Sequence, residues 1–365
     1  MKEQNKNKCV CIIFSVFLLI VFLTGVFGPK NEYSQSERRK LADFPKISLQ
    51  TIKSGKFMKD YDKYTLDQFP GRDLMRRVKA QTSDKVFLKK DNNDIYVHDD
   101  YIAAMEYPMD QNSISYAGRK FQYIYDRYLS EDQKVFLSVI PDKNYFMAKD
   151  SGHLSIDAEE VAEYLSAEVP SAEYVDIVDL LQREDYYRTD THWRQEKIVD
   201  VAQRLADQMG VSIADEYREV EVIDDFYGVY YGQAALPVKP EKLAYLTNDQ
   251  IEDMEVTDRQ NNRTGSVYNM EKAKGKDPYE MFLSGPLSLV EIENKNPDQN
   301  KNLIIFRDSF GSSIAPLLAQ GYEKTILVDI RYLQSAYLEN LVDFENADVL
   351  FLYSTLVLNN SSTLK

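Results

Sequence analysis

One apolar run near the N-terminus sets the first constraint on how this chain can fold. Residues 9–27, from Cys-Val-Cys-Ile-Ile-Phe to Thr-Gly-Val-Phe, are nineteen consecutive positions without a charged side chain. As a helix rising about 1.5 Å per residue, the run crosses most of a ~30 Å hydrocarbon layer. It is therefore predicted to be a membrane-spanning anchor or a signal sequence.

The residues around the run indicate its orientation. Residues 1–8 contain three lysines, and basic residues flanking a membrane helix stay on the cytoplasmic side. We therefore predict a cytoplasmic tail at 1–8, a single-pass anchor in the cell membrane at 9–27, and an extracytoplasmic C-terminal domain. The run is longer than the apolar region of a cleaved signal, which favours an anchor. Cleavage stays open, because Val26 and Gly28 suit a signal peptidase.

The composition of the rest of the chain limits what it can bind. Both cysteines, Cys9 and Cys11, lie at the cytoplasmic edge of the apolar run, so the exported part has none for a disulfide and is held by its core. A formal net charge of −15 and a pI near 4.8 argue against nucleic acid as a partner, since phosphates require a basic face. Polar, proline-containing residues 28–47 are predicted to form a stalk leading to a domain at 48–365.

The domain alternates short apolar runs with helical stretches. Val-Phe-Leu-Ser-Val-Ile at 135–140 and Leu-Ile-Ile-Phe at 303–306 have the length and composition of buried strands. Such alternation is typical of βαβ units, so we predict an α/β fold with a parallel sheet and helices on both faces. Residues 211–300 contain shorter β-like runs and are predicted to be a β-rich insertion packed against the sheet. Further strands are predicted at 95–97, 174–178, 325–329 and 349–353, and helices at about 73–88, 112–129, 157–167, 335–342 and from Trp193 to Gly210.

A short polar motif offers catalytic chemistry. Thr-Asp-Thr-His-Trp at 189–193 contains Asp190 and His192, and His is the side chain that titrates near neutral pH when unperturbed. A carboxylate two residues before an imidazole can orient it if the turn brings the two together. The other histidines, His98 and His153, stand in polar turn-like contexts without a nearby nucleophile.

The best nucleophile candidate lies far downstream. Ser309 follows the 303–306 strand and precedes a predicted helix at 312–320, and a strand-to-helix turn exposes a hydroxyl beside backbone N–H groups. A structural alternative stays open from spacing alone. In that alternative Asp190 caps the following helix, His192 lies in its first turn, and Ser309 caps the later helix.

Three blocks together resemble a known family. Phe69-Pro70-Gly71-Arg72-Asp73, Thr-Asp-Thr-His-Trp at 189–193 and Arg307-Asp308-Ser309-Phe310 resemble, in this order, the DHHW family of bacterial surface proteins, from about Tyr33 onward. That family is similar to the SGNH-like acetyltransferases that modify alginate and other exopolysaccharides. The resemblance implies an SGNH-like (flavodoxin-like) fold with Ser309 as nucleophile, His192 as base and Asp190 as the group that orients it.

The function that the resemblance implies is O-acetyl transfer to a cell-surface or exopolysaccharide through an acyl-serine intermediate. The expected partners are that polysaccharide and a multi-pass membrane acyltransferase as acetyl donor. Two alternatives stay open: a carbohydrate acetyl esterase of the same fold, and a catalytically lapsed carbohydrate-binding protein. No cofactor motif is present, and with three histidines and no cysteine beyond residue 11 no metal site is expected.

One departure from the family concerns the oxyanion donor. Family members often carry a Gly-Asn pair before the serine strand, whereas here Gly285 is followed by Pro286, which has neither an N–H nor an amide side chain. The family places the block Phe226–Gly232 near the site, with Gly228 as a possible donor. The full set of oxyanion or substrate-contact candidates is Gly228, Tyr231, Lys143, Tyr145, Trp193 and Arg307. The alternative for Trp193 is that it fixes its helix to the core, which is the more usual role of a lone tryptophan.

Overall fold

The structure is a computed structural model that describes residues 3–365, so Lys2 of the predicted basic tail lies outside the described residues. The chain divides into two compact units. The first comprises the residues up to Asn92 together with Gly232–Leu236, and the second comprises Asn93–Tyr231 and Pro237–Lys365.

The first unit begins with the apolar run as one long helix, α1 (Glu3–Phe27). An 18-residue window within Asn5–Phe27 has a mean hydropathy of 3.0, and no part of that window is buried. By length and composition α1 is a candidate membrane anchor or signal sequence.

The rest of the first unit is a pair of very short strands and three helices. Asp67 is buried, accepts both Arg39 Nη atoms at 2.9 and 2.6 Å, and accepts the Ala42 amide at 2.9 Å. These bonds fix the predicted stalk segment to a helix rather than leaving it extended. The elements are β1 (Tyr33–Ser34), β2 (Arg39–Lys40), α2 (Leu49–Lys53), α3 (Lys56–Asp67) and α4 (Arg72–Lys85).

The second unit is built on an eight-stranded sheet flanked by helices. Its helices are α5 (Gln111–Tyr128), α6 (Lys143–Ser151), α7 (Ala158–Glu168), α8 (Val199–Met209), α10 (Asp249–Glu252), α11 (Met270–Ala273), α12 (Gly311–Leu318) and α13 (Thr355–Asn359), together with the first half of α9 (Val229–Ala234), whose residues from Gly232 onward belong to the first unit. Its strands are β3 (Ile95–His98), β4 (Tyr101–Ala104), β5 (Val135–Ile140), β6 (Glu173–Tyr174), β7 (Arg218–Phe226), β8 (Glu241–Thr247), β9 (Glu255–Asp258), β10 (Arg263–Gly265), β11 (Leu289–Glu293), β12 (Gln299–Arg307), β13 (Tyr322–Val328) and β14 (Ala347–Ser354).

The sheet confirms the predicted α/β fold class. Its order is β10-β9-β11-β13-β12-β14-β5-β6, and the five strands from β13 to β6 pair in parallel. In β12, Leu303 and Ile305 join one apolar cluster, whereas Ile304 and Phe306 join another on the opposite face. A strand buried on both faces is expected in a parallel sheet that is covered by helices on both sides.

The β-rich insertion extends the sheet instead of only packing against it. β11 pairs antiparallel with β13, and β9 and β10 continue outward from β11. Without these three strands, one edge of β13 would have unpaired backbone N–H and C=O groups. β11 supplies the hydrogen-bond partners for that edge. Within the insertion, β7 and β8 form a separate antiparallel pair, as a two-stranded sheet.

Three local predictions are wrong in detail. β3 pairs with β4 in its own two-stranded sheet and takes no part in the parallel sheet. The helix expected from Trp193 begins at Val199 after a 3-10 turn at Gln195–Lys197, so His192 lies in a loop and not in a first helical turn. The helix expected at 335–342 is a 3-10 segment, Ser335–Asn340.

Candidate functional site

Ser309 lies at the carboxyl end of the central strand β12, in the turn before α12. The adjacent Asp308 is buried; its Oδ1 accepts the Phe310 amide at 3.0 Å and its Oδ2 accepts the amide and hydroxyl of Ser354 at 2.8 and 2.7 Å. Because Ser354 ends the neighbouring strand β14, the turn is tied to the sheet on that side. The carboxyl end of a parallel sheet is where ligands of such folds bind.

The Asp190 and His192 side chains lie on a loop that is closed like a hairpin. Tyr186 and Trp193 form a β-bridge, and the Tyr187 amide donates to the His192 carbonyl at 3.0 Å. Inside the loop the His192 amide donates to Asp190 Oδ1 at 3.2 Å, an Asx turn. This local bond brings the carboxylate and the imidazole together over only two residues.

The three side chains form one hydrogen-bonded chain. His192 Nδ1 is 2.6 Å from Asp190 Oδ1, and His192 Nε2 is 2.8 Å from Ser309 Oγ. Since an ionised carboxylate only accepts, Nδ1 donates to it, and in a neutral imidazole Nε2 then accepts from the serine hydroxyl. Asp190 is buried, whereas His192 and Ser309 are partly exposed. The structure thus brings the side chains of Asp190, His192 and Ser309 together.

Two buried charges of opposite sign hold the tip of the loop. Lys143 Nζ donates to the carbonyls of Tyr187 and Asp190, both at 2.7 Å. The Glu241 carboxylate accepts the amides of Arg188 and Thr189, both at 2.8 Å. The ammonium satisfies the loop's carbonyls and the carboxylate satisfies its amides, so the tip is fixed without regular secondary structure.

This arrangement corrects the expectation that Lys143 contacts a substrate. Its side chain is fully buried under the loop, and burial lowers the pKa of Lys143 to about 8. The neighbouring Asp142, which caps the N-terminus of α6, is also buried, and burial raises the pKa of its carboxyl to about 6. Sequence reasoning missed the role of Glu241, because nothing near it in the chain points to a loop fifty residues earlier.

Gly228 also has a role different from the expected one. Its amide donates to Thr189 Oγ1 at 2.8 Å, so it is already engaged and does not serve as the oxyanion donor. The next amide, that of Val229, donates to Asp190 Oδ2 at 2.8 Å. A Cβ at position 228 would lie 2.2 Å from the Asp190 Cβ and 2.5 Å from its backbone nitrogen. The glycine therefore allows close approach to Asp190 rather than to a ligand.

We expect Gly228→Ala to push the backbone at Gly228 and Val229 away from Asp190. The added methyl displaces Asp190 or Val229 and weakens the bond between them, so stability should fall by about 1–3 kcal/mol and ester turnover should fall with it. Gly265→Ala is the matched control, since a Cβ there meets no atom within 4 Å. Thermal melting and turnover of both variants provide the check; a Gly228→Ala protein indistinguishable from the control would contradict this packing role.

Tyr279 covers the imidazole. Its ring stacks on His192 at a centroid distance of 3.8 Å and an interplanar angle of 6°. Its hydroxyl donates to Ser313 Oγ at 3.0 Å, which also accepts Trp193 Nε1 at 2.8 Å. The stack restricts rotation of the ring that joins Asp190 to Ser309. Sequence reasoning missed Tyr279, because it lies in the insertion and carries no motif.

Two substitutions of Tyr279 separate the stack from its hydroxyl. Tyr279→Phe keeps the stacked ring and loses one neutral hydrogen bond, so we expect a small change in kcat. Tyr279→Leu loses the stack, worth about 0.5–1.5 kcal/mol, and kcat should fall by up to about tenfold with little change in KM. The measurement is steady-state kinetics with an activated ester, with melting temperatures to check folding. Equal kcat values for the two variants would contradict the positioning role of the ring.

The remaining candidates lie behind the site or beside it. Trp193 is fully buried with its indole N–H on Phe310 O and Ser313 Oγ, so it fixes the loop to the core, as its alternative interpretation expected. Arg307 is also fully buried, 3.8 Å from the Asp329 carboxylate, and therefore does not contact a substrate from solvent.

Tyr145 packs edge-on against Phe146. Tyr231 is partly exposed, its amide donates to the Thr189 carbonyl at 3.2 Å, and it stays a predicted substrate contact.

The Gly285-Pro286 segment, which stands in place of the Gly-Asn pair expected from the resemblance, forms a closed turn. The Gly285 amide donates to the Phe282 carbonyl at 3.1 Å, the Leu287 amide donates to the Gly285 carbonyl at 2.8 Å, and Gly285 has φ of 91°, which favours glycine. A different donor remains beside the nucleophile. The amide of Ser309 itself donates to no acceptor among residues 3–365, and it lies at the turn from β12 into α12.

Comparison with solved structures gives the fold. A DHHW family protein from Eubacterium siraeum aligns with a TM-score of 0.60 and 19% identity over 74% of this chain and 95% of that one. Bacillus cereus PatB1 aligns with a TM-score of 0.56 and 19% identity over 73% of this chain and 97% of its own. PatB1 with a sulfonyl adduct gives 0.55 and 18%, over 72% of this chain and 94% of its own.

These likenesses confirm the predicted α/β fold and show that the chain shares its fold with a DHHW family protein and with PatB1. No family model matches the sequence, and no curated protein matches it either.

Proposed function

We propose that the protein transfers acetyl groups to a cell-surface or exopolysaccharide through an acyl intermediate on Ser309. The observation that carries the proposal is the hydrogen-bonded chain from Asp190 through His192 to Ser309, with distances of 2.6 and 2.8 Å. A serine activated by an oriented imidazole is the arrangement that acyl-transfer enzymes use on unrelated folds. The choice of acetyl and of a polysaccharide acceptor comes from the family resemblance of the sequence.

The first half of the reaction makes the acyl-serine. Ser309 Oγ attacks the carbonyl carbon of an acetyl ester while its proton moves to His192 Nε2, and the carboxylate of Asp190 stabilises the imidazolium that forms. The oxyanion of the tetrahedral intermediate accepts the amide N–H of Ser309. The intermediate collapses, the bond from the carbonyl carbon to the donor oxygen breaks, and His192 returns its proton to the leaving alcohol.

The second half reverses these steps with a new hydroxyl. A sugar hydroxyl loses its proton to His192 Nε2 and attacks the acyl carbon. The bond from that carbon to Ser309 Oγ then breaks, His192 returns the proton to Oγ, and an acetylated sugar leaves. Water in the place of the sugar would make the protein an esterase. Because only the acceptor differs, transfer depends on binding energy that positions a sugar hydroxyl over the acyl-serine. We propose a multi-pass membrane acyltransferase as the source of the acetyl group.

The ratio of acetylated sugar to free acetate among the products distinguishes acetyl transfer from ester hydrolysis. The full-length protein is given an activated acetyl ester with a panel of cell-wall and capsular oligosaccharides, and acetylated sugar and free acetate are measured by mass spectrometry. Transfer predicts that one acceptor raises ester turnover and yields acetylated sugar in preference to acetate. Acetate as the sole product at rates that no acceptor changes would make the protein an esterase.

A binding protein without catalysis is the second candidate, favoured by the closed Gly285-Pro286 turn in place of the family's Gly-Asn pair. It predicts oligosaccharide binding without turnover of any ester. Turnover that depends on Ser309 would exclude it.

We propose further that residues 9–27 are an uncleaved, single-pass anchor in the cell membrane, with 1–8 in the cytoplasm and 48–365 outside it. The support is the apolar run 9–27 within α1 and the basic residues that precede this run in the sequence. Protease added to intact cells should degrade the C-terminal domain and spare a tag placed before α1. A C-terminal domain protected until the cells are opened would contradict this topology.

A further inference from the structure

The first unit exposes an unusual amount of apolar surface. Fourteen large apolar side chains between Phe44 and Leu88 are exposed, against eight in the 273 residues from Asn93 onward. On α4, Leu74, Met75 and Val78 lie on one face and are each at least half exposed. Soluble proteins rarely display contiguous apolar patches of this kind without something to cover them.

The same segment has the opposite charge from the whole chain. Residues 30–92 contain sixteen Lys or Arg and nine Asp or Glu, a net charge of +7 in a protein whose net charge is −15. Arg77 and Lys85 on α4 and Lys59 and Lys63 on α3 are exposed. Apolar side chains flanked by long basic ones are typical of helices that lie in the interface of an anionic bilayer, because the charged ends reach the headgroups while the apolar side chains enter the acyl region.

Hydrogen bonds within the first unit hold these helices close to the end of α1. Asn31, four residues beyond Phe27, donates its amide to Gln68 Oε1 at 3.0 Å, and Gln68 Nε2 donates to the Asn31 carbonyl at 2.8 Å. The Lys30 ammonium lies 5.5 Å from the centre of the Tyr64 ring. If α1 spans the bilayer, the residues just beyond it occupy the headgroup layer, so the end of α3 and the start of α4 lie there too.

We infer that the α3–α4 helices form a second membrane-binding surface, which lies flat on the anionic lipid leaflet where α1 emerges. Leu74, Met75 and Val78 enter the acyl boundary, while Arg77 and Lys85 contact lipid phosphates. The inference rests on the proposed anchor and goes beyond it, since an anchor alone leaves the following residues in water. Attachment at two places fixes the orientation of the first unit on the membrane.

Single labelled cysteines in the full-length protein test the inference. Cys9→Ser with Cys11→Ser removes both native cysteines. Val78→Cys, Phe17→Cys in α1 and Tyr337→Cys in the second unit are then each labelled with an environment-sensitive fluorophore. Each protein is reconstituted into phosphatidylglycerol–phosphatidylcholine vesicles with and without brominated acyl chains, which quench only labels that reach the lipid. Quenching is expected at 78 and 17 and not at 337.

The outcomes separate this inference from the proposed anchor. Quenching at 17 without quenching at 78 overturns the lipid surface and leaves the anchor intact, whereas no quenching at either position overturns both. A label at 78 that is shielded from water but not quenched indicates a protein partner and also overturns the inference. Arg77→Glu combined with Lys85→Glu should abolish the stronger quenching at 78 in phosphatidylglycerol relative to phosphatidylcholine alone; an unchanged lipid preference would contradict the role assigned to the basic side chains.

Discussion

Full-length protein carrying Ser309→Ala is expected to lose about 10⁴-fold or more of its turnover of an activated acetyl ester. This substitution removes only the hydroxyl group, whose oxygen lies 2.8 Å from His192 Nε2. Without it no acyl-enzyme forms, and the remaining groups can at most assist direct attack by water. The measurement is initial-rate kinetics in detergent micelles, with a melting curve to show that the variant folds.

Ser312→Ala supplies the matched control. Ser312 is buried one turn along the same segment, and its amide donates to the Ser309 carbonyl at 3.2 Å, a bond that alanine keeps. Its turnover should stay close to that of the wild type. If Ser309→Ala turns over the ester as fast as Ser312→Ala, the nucleophile is a different residue.

The second large effect is expected from Asp190→Asn, at about 10⁴-fold on kcat. Asp190 Oδ1 faces His192 Nδ1 and Oδ2 accepts the Val229 amide at 2.8 Å, so both oxygens accept from donors. Asparagine offers only one acceptor. Its NH2 group must face either the Val229 N–H or the imidazole, and against the imidazole it forces the tautomer in which Nε2 carries the proton and cannot take one from Ser309.

Comparison with His192→Ala checks that Asp190 acts through the imidazole. The double variant Asp190→Asn with His192→Ala should be no slower than His192→Ala alone, because residues that act as a unit have non-additive effects. Asp207→Asn, on an exposed part of α8, controls for loss of charge. Additive losses in the double variant would indicate that Asp190 contributes by a separate route.

The sequence predicts the parallel part of the fold because each of its strands has a local signature. Apolar runs at 135–140, 303–306 and 349–353 correspond to β5, β12 and β14, which lie side by side in the sheet. The extension by β9, β10 and β11 has no such signature. Their pairing depends on the free edge of β13, which exists only once the parallel strands have assembled, so local periodicity does not give their place in the sheet.

At the site, too, local contacts can be predicted from the sequence and long-range contacts cannot. Asp190 and His192 are joined by a local Asx turn, and the position of Ser309 follows from the strand-to-helix pattern around it, so the sequence indicates all three. Lys143 and Glu241 hold the loop over distances of about fifty residues along the chain, and Tyr279 stacks on His192 from the insertion. These contacts form only in the tertiary structure, and for that reason the sequence suggested a substrate contact for Lys143 and an oxyanion donor for Gly228.

The most direct test of the proposed chemistry is to trap the acyl group. Full-length protein mixed with an activated acetyl ester is quenched in acid within the first turnover, digested, and mapped by mass spectrometry, in parallel with His192→Ala. The hydrogen-bonded chain from Asp190 to Ser309 predicts one acetyl group on the Ser309 hydroxyl in the wild type and a greatly reduced amount in the variant. Turnover with no acetyl group on Ser309, or an acetyl group that accumulates equally without His192, would contradict it.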